Sequence, residues 1–237
     1  MKTSKLLFLL FLAPFLTISC SKDSLPEEEN LQEENKYFKY TIGDGPFVHF
    51  EDMVLKEIIL NNFDINTNKD NEISFEEATA YKGAIDVSFN TIESLTGIEK
   101  FVNIIALNCA NNKLNTLDMS NNLSLESLNC GNNPFYEIDL SPNTKLTHLD
   151  IRTTKIATLD LSKNTNLVVI KGVCNYNLKT VNVRNNSNDK ILIFFFGLNN
   201  TTLECVQVDD IDYSNTITNW IIPENAIYSL NCFDNIL

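Results

Sequence analysis

A pattern of apolar residues and asparagine, apolar-x-x-apolar-x-apolar-x-x-Asn, recurs through residues 104–186 of this 237-residue chain. Its first copy is Ile104-x-x-Leu107-x-Cys109-x-x-Asn112, and its last copy ends at Asn186. The middle apolar residue of successive copies is Leu107, Leu117, Leu128, Ile138, Leu149, Leu159, Ile170 and Val181. Copies pair into a unit of 21 residues, which lengthens once to 22. One unit cannot bury its own apolar edge, so the repeat predicts a solenoid of mutually covering coils.

The spacing within one copy predicts the local structure of each coil. Two apolar residues separated by one residue lie on the same face of a short strand. The apolar residue three positions earlier enters the same core from the preceding turn. Asparagine suits the turn that follows, where its amide can bond backbone groups of the adjacent coil. The stacked strands would form a parallel ladder with a spacing of about 4.8 Å.

The length and pattern of the unit resemble the leucine-rich repeat, L-x-x-L-x-L-x-x-N/C-x-L. The resemblance implies an α/β repeat solenoid, with a right-handed coil and a parallel β ladder over residues 85–202.

The first 19 residues are predicted to be an export signal. Lys2 and Lys5 precede an apolar run at residues 6–18 that is too short to span a bilayer as a mature helix. The run ends at Ser19-Cys20, and a small residue before a lone cysteine resembles a bacterial lipoprotein cleavage site. That resemblance implies a lipid anchor on Cys20. An ordinary secretory signal with an incidental cysteine is the alternative.

Residues 20–45 are predicted to be an acidic, disordered tether. Their start, Cys20-Ser21-Lys22-Asp23-Ser24, looks like that of surface lipoproteins from the Bacteroidetes. The resemblance implies a protein that is lipid-anchored at the bacterial outer membrane and faces the cell exterior.

A calcium-loop motif follows a predicted short helix at residues 50–61. Residues 66–77 resemble the EF-hand loop, D-x-[DN]-x-[DN]-G-x₅-E, and Ile73 at the usually aliphatic eighth position sets the register. The resemblance implies a small helical, EF-hand-like cap at residues 46–84. The implied calcium ligands are Asn66, Asn68, Asp70, the carbonyl of Glu72, Ser74 and Glu77.

Two positions depart from that motif. Asn66 replaces the first aspartate and removes a negative charge, and Asn71 replaces the glycine of the sharp turn. Asn71 can still adopt the left-handed conformation that such a turn needs. Because only Asp70 and Glu77 remain as charged ligands, calcium should bind weakly, in the ~0.1–1 mM range of extracellular modules. Asp64 could act as a substitute ligand, and a metal-free helical hairpin is the alternative.

The repeat continues beyond residue 186 with Phe194 and Phe196, and its last rung is Val206 and Val208. The segment from Cys205 to Cys232 looks like the closing segment of leucine-rich-repeat proteins, which implies an irregular cap over residues 203–237. It also implies a Cys205–Cys232 disulfide that pins the cap, in keeping with export. The whole plan resembles leucine-rich-repeat lipoproteins of the Bacteroidetes and, at the amino-terminal cap, internalins.

Three other cysteines lie within the repeats. Cys109 and Cys130 occupy the second apolar site of adjacent rungs, and we expect them to be buried thiols that act as small hydrophobes. A disulfide between the two rungs is the alternative. Cys174 is expected in a buried turn. No C-x-x-C pair is present in the sequence, so a zinc or redox site is not supported.

The charge of the chain argues against several classes of partner and activity. The formal net charge is -13, whereas phosphate binding needs a basic surface, so nucleic acid is not an expected partner. The only histidines, His49 and His148, are both expected on the surface, with His148 pointing outward from a strand. We therefore expect no enzymatic activity.

A column of aspartates recurs in the second half of successive units, at Asp118, Asp139 and Asp160. Two unit charges stacked about 5 Å apart repel by about 0.8 kcal/mol in water, so another interaction should compensate. We expect each aspartate to bond turn groups two residues on, such as the hydroxyls of Ser120, Ser141 and Ser162. A ladder of bound cations is the alternative.

The outward residues in the first half of each unit become more apolar toward the carboxy terminus. If Phe194 and Phe196 face inward, Ile193 and Phe195 must face outward, where an exposed apolar patch is the usual mark of a contact site. The predicted binding surface consists of His148, Asp150, Val169, Lys171, Val173, Ile193 and Phe195. The alternative is that the carboxy-terminal cap folds over the apolar part.

The resemblance implies a non-catalytic binding or adhesion module on the cell surface. It would act as a monomer and recognise a protein or glycan through the ladder, with the membrane contacted only through the lipid anchor. One alternative is a structural surface protein stabilised by calcium. Another is a surface glycan or peptide hydrolase that uses the acidic column, although an open ladder offers no cleft for paired carboxylates.

Overall fold

The computed structural model describes residues 46–232. The predicted export signal, the anchor residue Cys20, the tether at residues 20–45 and the last five residues of the predicted carboxy-terminal cap lie outside the described residues.

The amino-terminal cap consists of α1 (Met53–Leu60) and α2 (Phe75–Ala80) joined by the loop of residues 61–74. The side chain of Asp52 caps α1 by accepting from the amides of Val54 and Leu55. Ser74 caps α2, and its side chain and that of Glu77 each bond the other's backbone amide. The loop also pairs with the preceding segment, because the Val48 amide donates to the Ile73 carbonyl at 2.7 Å. The Asp52 carboxylate also accepts from the Glu93 amide at 2.8 Å, which joins the start of α1 to the first coil of the solenoid.

Parallel strands of two or three residues form the first ladder, a sheet with the order β1-β2-β3-β4-β6-β8-β10. The strands of the first ladder are β1 (Ala84–Asp86), β2 (Ala106–Asn108), β3 (Ser127–Asn129), β4 (His148–Asp150), β6 (Val169–Lys171), β8 (Ile193–Phe195) and β10 (Trp220–Ile221). Their central residues align in register from Ile85 to Trp220, and all of them are buried.

Strands from the other half of the later units, together with one strand of the carboxy-terminal cap, form the second ladder, with the order β11-β9-β7-β5. The strands of the second ladder are β5 (Thr158–Asp160), β7 (Thr180–Asn182), β9 (Cys205–Gln207) and β11 (Ile227–Ser229). From Thr158 onward the repeat contributes two strands per coil, whereas the equivalent segments around Leu117 and Ile138 form no strand. The fold is a parallel-strand solenoid of about seven turns, as predicted. Within the described range, no helix has the length and apolar character needed to span a bilayer.

Buried asparagines connect the coils at the turns. The amide group of Asn133 donates to the carbonyls of Cys109 and Cys130, while its oxygen accepts from the Leu114 amide at 3.1 Å. Asn122, Asn143 and Asn164, in the other half of the unit, donate only to carbonyls of the preceding coil. These asparagines therefore bond backbone groups of the neighbouring coil, as the repeat pattern predicts. The last copy differs from the prediction by one position: Asn185 is buried and donates to the Asn164 carbonyl, whereas Asn186 is exposed with a φ of 58°.

The carboxy-terminal cap closes the solenoid with α3 (Ile211–Thr216), β10 and β11. Cys205 and Cys232 form a disulfide with a Cα–Cα distance of 5.8 Å. The Trp220 ring stacks beside Phe194 with centroids 5.1 Å apart, and its indole N–H donates to the Ile191 carbonyl. An aromatic side chain thus fills the place of leucine in the last rung of the first ladder.

Candidate functional site

The outward face of the first ladder is polar along its first four strands. The Asp86 carboxylate accepts from the Ser88 amide at 2.9 Å, from the Ser88 hydroxyl at 2.7 Å and from the Asn108 side-chain amide at 3.1 Å. Asn108 and Asn129 accept backbone amides two residues on at 3.3 and 3.4 Å. These side chains hold the turn after each strand, so they are engaged by the fold itself.

The fourth strand carries two residues of the predicted binding surface. Asp150 accepts from the Nε of Arg152 at 2.8 Å and from its backbone amide at 3.3 Å. His148 is exposed, as predicted, and its Nδ1 lies 2.9 Å from the Thr147 hydroxyl. Burial, and secondly the positive charge of Lys171, lower the pKa of His148 below its ordinary value. The lowered pKa favours the neutral form of this imidazole.

Apart from Lys171, the outward face becomes apolar along the last three strands, β6, β8 and β10. We call Val169, Ile193, Phe195 and Ile221 the terminal patch. Val169 aligns with Ile193, and Phe195 with Ile221, so these residues project from the same face of neighbouring strands. Ile193 is 41% and Ile221 is 46% exposed, whereas Val169 and Phe195 are half-buried. The patch is therefore accessible at the carboxy-terminal end of the ladder.

Large aromatic residues under the terminal patch give it a rigid base. Phe194 and Phe196 are fully buried with ring centroids 4.6 Å apart. Gly172 makes room for Phe196, since a Cβ at that position would overlap the Phe196 ring. Gly197 similarly admits the side chain of Ile221, which a Cβ would overlap. The inward orientation of Phe194 and Phe196, predicted from the alternation, is confirmed.

The prediction that Val173 belongs to the binding surface is wrong. Val173 is only 1% exposed and cannot contribute to a contact surface. The prediction extended the strand alternation to residue 173, but β6 ends at Lys171 and the chain then bends into a turn at Cys174, whose φ is 62°. Ala110 and Gly131, at the equivalent position of earlier coils, are also buried. Cys174 itself is buried in a turn, as predicted.

Ile221 is a residue of the patch that the sequence prediction missed. The interval from Phe194 to its register partner Trp220 is longer than the 21-residue unit, so the periodicity does not reach β10. Aligning Trp220 with the central residues of the earlier strands would have placed Ile221 beside Phe195. The cap adds β10 to the edge of the ladder and leaves the outward side of Ile193 exposed, instead of folding over it.

The aspartate column bonds turn groups, as we expected. Asp118, Asp139 and Asp160 accept the backbone amides of Ser120, Ser141 and Ser162 at 2.8, 2.8 and 2.9 Å. These amides, followed by the serine hydroxyls, lower the pKa of Asp118 and Asp139 below the ordinary value. Asp160 also accepts from the side chain of Asn182 at 3.0 Å. Hydrogen bonds therefore compensate the repulsion between the stacked carboxylates.

The predicted calcium loop is closed by its own hydrogen bonds. One Glu77 oxygen accepts from the amide and hydroxyl of Thr67, and the other accepts from the amide and hydroxyl of Ser74. Asp70 accepts from the Glu72 amide and from the Asn68 side chain, both at 2.8 Å. A calcium ion would have to replace the hydrogen bonds to Glu77. The carboxylates of Asp70 and Glu77 are nevertheless of the chemical type that calcium prefers.

Three further details of the loop bear on its resemblance to an EF-hand. Asn66 is 3% exposed; its amide donates to the carbonyls of Leu60 and Asp70, and its Oδ1 has no hydrogen-bond partner among the described residues. The left-handed residue of the loop is Lys69, with a φ of 59°, and not Asn71. The Glu72 carboxylate pairs with the Lys56 ammonium at 2.8 Å. Calcium binding at this loop stays a prediction.

The two stacked cysteines are buried thiols, as predicted. Cys109 and Cys130 are free and fully buried, and burial raises the pKa of Cys109 to about 12. Burial also raises the pKa of Cys130 well above its ordinary value. Neither thiol is therefore a nucleophile near neutral pH. Within residues 46–232, no group of three or more histidine, cysteine, aspartate or glutamate side chains is arranged to hold a metal ion.

No protein-family model and no curated protein matches the chain, but solved structures do. The functional domain of InlJ from Listeria monocytogenes, which includes a cysteine ladder, is similar with a TM-score of 0.52 and 27% identity. The match covers 70% of this chain but only 40% of that domain. The internalin InlF of the same organism matches with a TM-score of 0.48 and 16% identity, over 80% of this chain and 74% of InlF.

The similarity to InlJ agrees with the repeat pattern and with the parallel ladders described above. The chain is a leucine-rich-repeat solenoid whose structural neighbours are internalins.

Proposed function

We propose that the chain is a non-catalytic binding module that recognises a protein partner through the terminal patch. The observation that supports this most directly is the exposed apolar face of Ile193 and Ile221 beside the half-buried Phe195. Isolated apolar side chains are common on protein surfaces, but a contiguous group on one face is a frequent mark of a contact site.

The construction of the patch suits tight binding. Its side chains project from short strands that the buried aromatic group of Phe194, Phe196 and Trp220 fixes from below. A rigid surface loses little conformational entropy when a partner binds, so more of the interaction energy contributes to affinity. Aromatic residues such as Phe195 are also enriched at the centre of protein interfaces. The internalin-like fold is typically used for protein binding and adhesion, which supports the same proposal.

We also propose that the module is displayed on the outer surface of a bacterial cell by a lipid on Cys20. The support is the sequence of the first 24 residues, in which an apolar run ends at Ser19-Cys20. Incorporation of labelled palmitate into the expressed chain, and its loss in Cys20→Ser, would test the anchor. Protease digestion of intact cells would test the orientation, because a chain that faces the exterior is cleaved without cell lysis.

The binding proposal is tested with two charge variants at equivalent positions of the ladder. Phe195→Asp places a carboxylate in the terminal patch, and Asn129→Asp places one on the polar part of the same face, where aspartate can still accept the Gly131 amide. The purified chain and both variants are screened against an array of extracellular proteins and glycans. For the partners found, we expect Phe195→Asp to weaken binding about 100-fold, as for a central interface residue.

Asn129→Asp should change the same affinities less than about twofold, as expected for a position outside the contact. Equal melting temperatures of the two variants would show that the loss is not due to unfolding. The proposal is overturned if the wild-type chain binds no protein on the array, or if both variants bind as the wild type does.

A further inference from the structure

Lys171 lies at the boundary between the polar and apolar parts of the first ladder. In the register of the sheet, it stands between Asp150 on one side and Phe195 on the other. It also interrupts the series of aspartate and asparagine at this position of the strands. A lysine side chain cannot accept the backbone N–H that those residues accept, so the turn does not explain its presence.

The neighbouring carboxylate does not neutralise Lys171. Asp150 is held by Arg152 through an ion pair of 2.8 Å. Among residues 46–232, no carboxylate oxygen lies within 4.0 Å of the Lys171 ammonium. His148, on the same face, is a base and offers no negative charge. The terminal patch is therefore bordered by a half-buried cation without a counterion in the described part of the chain.

We propose that the terminal patch and Lys171 together recognise a protein segment in which a carboxylate lies next to an aliphatic or aromatic side chain. The apolar side chain packs on Phe195 and its neighbours, and the carboxylate accepts from the Lys171 ammonium. A partly desolvated pair of this kind is stronger than a fully exposed ion pair, because water competes less for both groups. The inference rests on the proposed function, since it specifies the chemistry of the partner at that site.

The net charge of the whole chain further restricts the kind of partner that can bind. With a formal charge of -13, the chain repels strongly acidic proteins at long range. The partner should therefore carry this carboxylate as a local feature of an otherwise neutral or basic surface. A second copy of this chain does not fit that description, because it carries the same net charge.

A random dodecapeptide library displayed on phage tests the inference. The library is panned separately on the wild-type chain, on Lys171→Glu and on Phe195→Asp. On the wild type, we expect enriched peptides to carry Asp or Glu within two residues of an aliphatic or aromatic residue. On Lys171→Glu, Lys or Arg should replace that acid. On Phe195→Asp, these peptides should not be enriched.

Affinities of one synthetic peptide from the wild-type selection complete the test. Lys171→Met, which keeps the length of the side chain without its charge, should weaken binding about 10-fold and reduce the salt dependence. The control is Lys163→Met, at an exposed lysine in the turn after β5. It should change neither the affinity for the peptide nor the salt dependence of binding. Equal melting temperatures exclude misfolding as the cause.

The outcomes separate this inference from the proposed function. Peptides that need Phe195 but show no preference for acid overturn the inference and leave the binding proposal standing. Absence of any peptide that depends on Phe195 overturns both. Binding of glycans in place of peptides at the patch also overturns the inference.

Discussion

At the first four strands of the first ladder, the outward residue after the buried centre is Asp86, Asn108, Asn129 or Asp150. At the last three strands it is Lys171, Phe195 or Ile221. The backbone is the same at both ends, with parallel strands in continuous register. At the polar end, each side chain bonds a group of the following turn. At the apolar end, the side chains have no such role.

The difference shows how a repeat protein can separate stability from recognition. Stacking of the buried centres holds the coils together at both ends, so the outward positions are free to differ. Where they are aspartate or asparagine, they contribute to the turns. Where they are apolar, they make no hydrogen bonds to the turns, and the side chains remain available to a partner. We therefore expect substitutions at the polar end to lower stability and substitutions at the apolar end to lower binding.

The largest expected effect concerns the disulfide that pins the apolar end. Cys205 and Cys232 are separated by 27 residues, and a loop of that length corresponds to a stabilisation of about 3.5 kcal/mol in the chain-entropy estimate. The double variant Cys205→Ala/Cys232→Ala should melt about 10 °C lower. Hydrogen exchange should show lost protection at β10 and β11 but not at β2 and β3. An unchanged melting temperature would contradict this prediction. The control is the melting temperature of the wild-type chain under reducing conditions.

A pair of variants compares the two ends directly. Asp86→Ala removes three hydrogen bonds at the polar end and should destabilise the chain by about 1–2 kcal/mol. Ile193→Ser, at the exposed apolar end, should change stability by less than about 0.5 kcal/mol. Urea denaturation of both variants measures the difference. If Ile193→Ser were the more destabilising, the terminal patch would belong to the core and the comparison would fail.

The dependence of stability on pH tests whether outward carboxylates hold turns. Asp118 and Asp139 have pKa values below the ordinary 3.8 because they accept serine amides in the folded state. A carboxylate whose pKa is lower in the folded state than in the unfolded state stabilises the fold at pH values above the unfolded pKa. This stabilisation is lost as the pH falls below about 3.8 and then through the pKa of the folded state. Asp139→Asn should therefore lose less stability than the wild type between pH 5 and pH 2 in urea denaturation. An identical loss in both would contradict the role of the hydrogen bond.

The smallest expected effect concerns calcium at the amino-terminal cap. With a dissociation constant near 1 mM, about 5 mM calcium should stabilise the chain by about 1 kcal/mol and raise the melting temperature by roughly 2–4 °C relative to EDTA. Asp70→Asn, which removes a charged ligand, should abolish the rise. No rise in the wild type would mean that hydrogen bonds alone close the loop around Glu77.

Much of the architecture could be predicted because each coil repeats the same local requirement. The apolar centres from Leu107 to Val181, all buried except the half-buried Ile138, follow from their spacing, and the aspartate column follows from its fixed place in the unit. The errors occur where the strict period ends. Val173 lies beyond the end of its strand, Asn185 takes the role expected of Asn186, and Lys69 takes the left-handed turn expected of Asn71.

The sequence by itself determined the solenoid, its core and the change from polar to apolar along its outward face, because all three depend on residue type at a regular interval. Only the tertiary structure decided which of those outward residues are accessible and which charges remain unpaired. Ile221 completes the terminal patch through its register with Phe195, which is distant in sequence. Lys171 lacks a counterion among residues 46–232, where Arg152 binds the carboxylate of the adjacent strand. Such pairings depend on which side chains meet in space, and the period of a repeat does not specify them.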